Sequence, residues 1–128
     1  MRKKRLLLWI FGIVTILVII GVIVVSQFTG NMTDVMTMQI DDVNLQSIDD
    51  GTYDGHFKAL PIDVVVDVKI VDHEIVDIDI LKHINGQGGA AETIVEDVIN
   101  QQTLLVDTIT GATYSSKVIL KAISNALE

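Results

Sequence analysis

Residues 62–80 read IDVVVDVKIVDHEIVDIDI, and their alternation decides the fold. Ile62, Val64, Val66, Val68 and Ile70 share one face of an extended chain while Asp63, Asp67 and Lys69 share the other, as a half-buried antiparallel strand requires. Asp72, His73 and Glu74 make a polar turn, after which Val76, Ile78 and Ile80 are expected to point inward and Asp77 and Asp79 outward. The two runs then form a hairpin with one apolar and one wet face. Upstream, residues 50–57 (DGTYDGHF) fit a further strand that ends in a turn near Pro61.

Downstream the period changes from two to 3.6. Ala91, Ile94, Val95, Val98 and Ile99 fall at helical spacing, behind a glycine-rich stretch at 86–89 expected to be flexible. Leu104, Leu105 and Val106 suit a short buried strand, and residues 115–127 suit a closing helix that buries Ile119, Ala122, Ile123, Ala126 and Leu127. Helices with one apolar stripe and a sheet with one apolar face must cover each other, so the fold class is α+β: a small two-layer sandwich of an antiparallel sheet and two helices.

That sandwich follows a different kind of segment. Residues 6–26 carry no charge and as a helix would span roughly 30 Å, the thickness of a bilayer's hydrocarbon core. Arg2, Lys3, Lys4 and Arg5 precede them, and the positive-inside rule keeps such a cluster in the cytoplasm. The expected organisation is a cytoplasmic basic tail (1–5), a single transmembrane helix (6–26) with Trp9 and Phe11 facing lipid, an extracytoplasmic tether (27–49) and a folded domain (50–128). The tether, polar, without sustained periodicity and with room for one short ordered piece, would reach ~25 Å as a flexible coil. A cleaved signal peptide is the alternative, but such h-regions run to about 7–15 apolar residues.

Composition removes several classes of function. With no cysteine, disulfides, thiol catalysis and iron–sulfur clusters are excluded, so redox chemistry needs a borrowed cofactor. Beyond the anchor five lysines face all seventeen acids, a net −12 that disfavours nucleic acid and anionic headgroups and promotes solubility. The hairpin's aspartates alternate as a solvated face should, so no metal site is expected there. His56 and His73 read as surface residues. There is no nucleophile elbow, P-loop or zinc-ligand spacing.

One stretch carries a chemical signal: residues 107–116, DTITGATYSS. It places a hydroxyl-rich turn at the start of the closing helix, where free N–H groups and the helix dipole favour a phosphate. Gly111 and Ala112 would let an anion approach the backbone. Taken singly, its residues are also ordinary N-caps and turn formers. The full spelling D-x-x-T-G-A-T, with five specified letters, is improbable by chance in so short a chain.

Residues 50–127 resemble the FMN-binding domains related to the C subunit of sodium-translocating NADH:quinone reductase and the G subunit of the Rnf electron-transport complex. The resemblance rests on the opening D-G-x-Y-x-G (Asp50, Gly51, Tyr53, Gly55), the hairpin, a His-and-glycine loop at 83–89, and the D-x-x-T-G-A-T signature with its closing helix. It implies FMN esterified through its phosphate to Thr113, donated from FAD by an FAD:protein FMN transferase. Asp107 is then the nearest base or metal ligand for that modification, and Thr110, Gly111, Ala112 and Ser115 complete the phosphate turn. Tyr114 either stacks on the flavin or covers the core; His83 either lies near the flavin or is a solvated side chain. The chain lacks the large insertions of the respiratory subunits. The resemblance points to a membrane-tethered carrier that takes electrons from a membrane donor, such as a quinone-linked dehydrogenase, to an extracytoplasmic acceptor. A ligand-binding or interaction module without covalent flavin, and an auxiliary respiratory subunit, remain as alternatives.

Overall fold

A computed structural model of the chain describes residues 1–84, 86 and 88–128. It divides into two units, Met1–Asn31 and Met32–Glu128. The first lies entirely within helix α1 (Arg2–Thr37) apart from Met1, and α1 is long and apolar enough to cross a membrane. The second holds an antiparallel sheet of β1 (Gly51–Ala59), β2 (Ile62–Val71) and β3 (Glu74–Ile84), in that spatial order, with helices α2 (Ile94–Gln101) and α3 (Thr113–Leu127). The fold is α+β, as the sequence periods predict.

The core lies between the sheet and the helices. Val64, Val66, Val68 and Ile70 of β2 are buried against Val118, Ile119, Ala122 and Ile123 of α3, with Ile94 and Val98 of α2 beside them. The close approach of α3 to β1 depends on Gly55, where a Cβ would stand 2.9 Å from the backbone nitrogen of Ala126 and would clash with the carbonyl oxygen of Ala122. The β2–β3 turn has two residues, Asp72 and His73, both with positive φ (53° and 62°), the combination that matches hairpin twist.

Strand β3 departs from strict alternation. Its pairing with β2 shifts between Lys69 and Ile70 and again between Val65 and Val66, which leaves Val76 and Leu81 as the extra residues of two bulges. Each bulge moves the following side chains to the opposite face. Ile75 is therefore buried and Val76 is 45 % exposed, the reverse of the simple pattern, while Ile78 stays inside. Gln102 clips this strand at Ile75: its side-chain oxygen accepts the Ile75 N–H (2.7 Å) and its amide donates to the Ile75 carbonyl (2.8 Å).

Other expectations change as well. Residues 104–106 form no strand; Leu104 is buried but Leu105 is 63 % exposed, and the segment runs irregularly into the 107–112 turn. The helix expected from Ala91 begins as a 3₁₀ turn, Gly89–Thr93, before α2. In the loop expected to be flexible, Gln87 lies outside the described residues, as does the neighbouring Asn85. Asp63, placed by pattern on the solvated face, is buried beneath His56 Nε2 (2.8 Å) and Lys82 Nζ (2.7 Å), because the diagonal neighbours on β1 and β3 fold over it. The 27–49 segment, expected as a tether, contains the end of α1. Val35 is buried in the core, and Asp42 accepts hydrogen bonds from the Thr103 hydroxyl (2.7 Å) and the Leu104 N–H (3.0 Å).

Candidate functional site

The 107–116 stretch becomes a tight turn that feeds directly into α3. The helix begins at Thr113, two residues earlier than its apolar stripe suggests, with Ala112 at the N-cap. Alanine has no side-chain acceptor, so the first-turn N–H groups of α3 receive no side-chain cap. The first helical bond is made by the Ser116 N–H to the Ala112 carbonyl (2.9 Å). An uncapped helix start is a ready anion site, because the donors and the positive dipole end are already oriented.

Gly111 sets the approach to it. Its φ is +79°, and among the described residues a Cβ at this position would meet no atom within 4 Å. Glycine is needed here for the left-handed backbone, and the space beside it is open. Thr110 and Asp107 are exposed, Thr113 is half-buried, and Ala112 is buried. Ser115 is buried on the core side, so only its N–H is on offer at the helix start.

Ser116, which the sequence does not single out, organises the turn. Fully buried, its hydroxyl accepts the Ile109 N–H (3.1 Å) and donates to the Ala112 carbonyl (2.8 Å), closing residues 109–116 into one hydrogen-bonded loop. The available clue was a serine one helical turn after the start of a helix, where its hydroxyl can bond back to a carbonyl. Lys117, also missed, donates from Nζ to the carbonyls of Met36 (2.7 Å) and Met38 (2.8 Å), the first of these in the last turn of α1.

Tyr114 and His83 resolve differently. The Tyr114 hydroxyl donates to the Leu60 carbonyl in the β1–β2 turn (3.0 Å), the ring packs against the core, and burial pushes its pKa up. His83 sits after the second bulge, opposite Val64, which turns it to the helix-facing side. Its side chain is 2 % exposed and Nδ1 lies 2.9 Å from Glu92 Oε1, so the solvated reading does not hold. Glu92 belongs to the 3₁₀ turn that packs against α3. Among the described residues no group of His, Asp and Glu is arranged to hold a metal ion.

The family model of the FMN-binding domain matches residues 58–128, more than half of the chain. The chain belongs to the FMN-binding domain family. The match takes in the hairpin, α2, the 107–116 turn and α3, and begins inside β1, so the D-G-x-Y-x-G stretch precedes it. No curated protein and no solved structure matches the chain. The uncapped start of α3, open at Gly111 and carrying the Thr113 hydroxyl in its first turn, fits the phosphate of such a domain's cofactor.

Proposed function

We propose that this FMN-binding domain carries its cofactor covalently on Thr113 and serves as a membrane-anchored electron carrier. The observation that supports this is the position of the Thr113 hydroxyl, half-buried in the first turn of a helix whose N-cap has no side-chain acceptor. The N–H groups of Thr113, Tyr114 and Ser115 would hold the phosphate, with Gly111 leaving the space and Ser116 holding the turn. Thr110 and Asp107 are exposed, where a modifying enzyme can reach them.

In the modification, an FAD:protein FMN transferase forms the bond between Thr113 Oγ1 and the FMN phosphorus. The pyrophosphate bond of FAD breaks, AMP leaves, and the hydroxyl proton passes to a base, for which Asp107 is this chain's nearest candidate. Bound FMN supplies one- and two-electron transfer; the protein supplies position, dielectric and hydrogen bonds. Electrons would enter from a membrane donor such as a quinone-linked dehydrogenase and leave to an extracytoplasmic acceptor. The Arg2–Arg5 cluster supports an orientation with the folded unit outside the cytoplasm. A covalent link suits that compartment, where a dissociated FMN is not easily replaced.

Co-production with the transferase tests the reading. The chain should gain the mass of one FMN less water and fluoresce in a denaturing gel; Thr113→Ser should keep both signals and Thr113→Ala should lose both. Flavin retained by Thr113→Ala would show that the acceptor is another residue or that binding is noncovalent. Topology can be read independently: the chain has no cysteine, so a single Asp97→Cys should react with an impermeant maleimide on intact cells.

A further inference from the structure

The outer face of the sheet, turned away from α2 and α3, is divided by charge. Its two rows nearest the β1–β2 turn bring His56, Lys58 and Lys82 around Asp63, whereas the next row is three carboxylates, Asp54, Asp67 and Asp79, directly opposite one another. Two of the five lysines beyond the anchor thus meet at one end of a strongly acidic unit. Asp63 has both oxygens engaged, Oδ1 with His56 Nε2 (2.8 Å) and Oδ2 with Lys82 Nζ (2.7 Å). Lys58 stands opposite Asp63 in the register, is exposed, and forms no ion pair among the described residues.

Exposed apolar side chains collect at the same end. Leu60 in the β1–β2 turn, Leu81 in the second bulge and Ile84 at the end of β3 are 51, 61 and 53 % exposed. This end adjoins the start of α3, because Tyr114, next to Thr113, donates to the Leu60 carbonyl (3.0 Å). An apolar centre with charged groups at its margin is the make-up of a protein docking surface, and small surfaces of this kind serve brief redox encounters. Electron transfer falls steeply with distance, so an acceptor must meet its carrier near the point where the flavin is attached.

We infer that this end of the sheet docks a soluble electron-acceptor protein whose contact face is apolar at its centre and acidic at its rim. The inference rests on the reading of the chain as a carrier with FMN on Thr113. Leu60, Leu81 and Ile84 meet the apolar centre, and Lys58 and Lys82 meet carboxylates at the rim. Lys82 spends one of its three N–H donors on Asp63 and keeps two for the partner. Because Asp63 already holds the Lys82 and His56 side chains in place, docking orders little that is not ordered beforehand. The aspartate row repels the same acidic rim further along the face, which fixes the partner at this end. A flat anionic lipid surface would cover both regions at once, since the aspartates begin roughly 7 Å from the Lys82 row, inside a Debye length of about 10 Å at 0.1 M salt. In the transfer, two molecules of a one-electron acceptor each take one electron from a fully reduced FMN, whose two protons pass to water.

The test uses the full chain, flavinylated by co-production and held in phosphatidylcholine nanodiscs, as wild type, Lys58→Glu, Lys69→Glu, Ile84→Ser and Val76→Ser. Lys69 and Val76 are exposed on the same sheet toward its other end and serve as matched controls. Lys69 lies three rows from Lys58, roughly 20 Å along the sheet and about two Debye lengths at 0.1 M salt. The probe is oxidised plastocyanin, a soluble one-electron acceptor with an acidic patch beside an apolar one. Intact mass reports loading, and stopped-flow absorbance of the copper reports transfer from the anaerobically reduced chain at 0.1 M salt. The expected result is FMN mass in all five, with transfer slowed about fivefold by Lys58→Glu and less than about twofold by Lys69→Glu, which changes the net charge equally. Ile84→Ser should slow it at least about twofold and Val76→Ser leave it unchanged. Equal slowing by the two lysine variants would mean that net charge alone acts, and Ile84→Ser as fast as Val76→Ser would remove the apolar contact; either overturns the docking surface and leaves the Thr113 reading standing. So would transfer that rises with Lys58→Glu when the nanodiscs contain phosphatidylserine, since the patch would then lie on anionic headgroups. A wild type without FMN mass would overturn both.

Discussion

Replacing Ser116 with alanine should unlock the turn that presents Thr113. The hydroxyl makes two bonds: it accepts from the Ile109 N–H at 3.1 Å and donates to the Ala112 carbonyl at 2.8 Å. These are not equivalent. Ala112 keeps the bond from the Ser116 N–H, so its carbonyl stays satisfied. Ile109 loses the partner it has, and a buried donor left unsatisfied costs about 1–3 kcal/mol, against about 1 kcal/mol for an ordinary net hydrogen bond. Ile109 is only partly buried, which places the sum near 2 kcal/mol. For a folded unit of this size that corresponds to a fall in melting temperature of about 8–16 °C. Near-UV circular dichroism of the full chain in nonionic detergent would follow the melt through Tyr53 and Tyr114, both of which belong to the folded unit, whereas the lone Trp9 belongs to the other. Ser124→Ala is the matched comparison: that serine is just as buried, but its hydroxyl donates to the exposed Glu128 carboxylate, which water can satisfy. Its loss should stay below about 1 kcal/mol. If Ser116→Ala melts no lower than Ser124→Ala, the account of the turn is wrong.

Gly55→Ala should be among the most damaging single substitutions, costing about 3 kcal/mol or more, because the new methyl group meets the backbone of α3 at Ala122 and Ala126. A denaturant midpoint like that of wild type would show that α3 can move away at little cost. Asp42→Ala should cost about 1 kcal/mol by freeing residues 103–104 from the segment after α1. Burial pushes the Asp42 carboxyl up, but hydrogen bonds from Leu104, Thr103 and Val43 outweigh it and hold its pKa below the usual carboxylate value. A depressed folded pKa gives stability that is present above the unfolded value, about 3.9, and is lost as pH falls through the folded one. The stability gap between wild type and Asp42→Ala should therefore be full at pH 7 and shrink below about pH 4; a gap that widens on acidification would contradict this.

Much of this protein is legible in its sequence, for reasons that are local. The period of two in residues 62–71, the period of 3.6 in α2 and α3, the charge-free span of residues 6–26 and the D-x-x-T-G-A-T spelling each depend on residues near one another in the chain. Strand pairing, helix faces and the family follow from them. The order of the 32–49 segment is less legible, because its apolar residues are sparse and its holding contacts come from Thr103, Leu104 and Lys117, more than sixty residues away.

What only the tertiary structure decided is which way certain side chains point. Two bulges in β3, at Val76 and Leu81, reverse the inside–outside pattern twice. They bury Ile75 rather than Val76 and turn His83 from solvent toward Glu92. Periodicity has no signal for them, since a bulge arises from the fit of one strand to its neighbour. The same holds at the candidate site. The sequence identifies Thr113 and the helix it begins, but the course of residues 38–42 beside residues 103–104 and α3 is set by the bonds of Asp42 to Thr103 and Leu104 and of Lys117 to the Met38 carbonyl. Those contacts join residues far apart in the chain, so no local pattern encodes them.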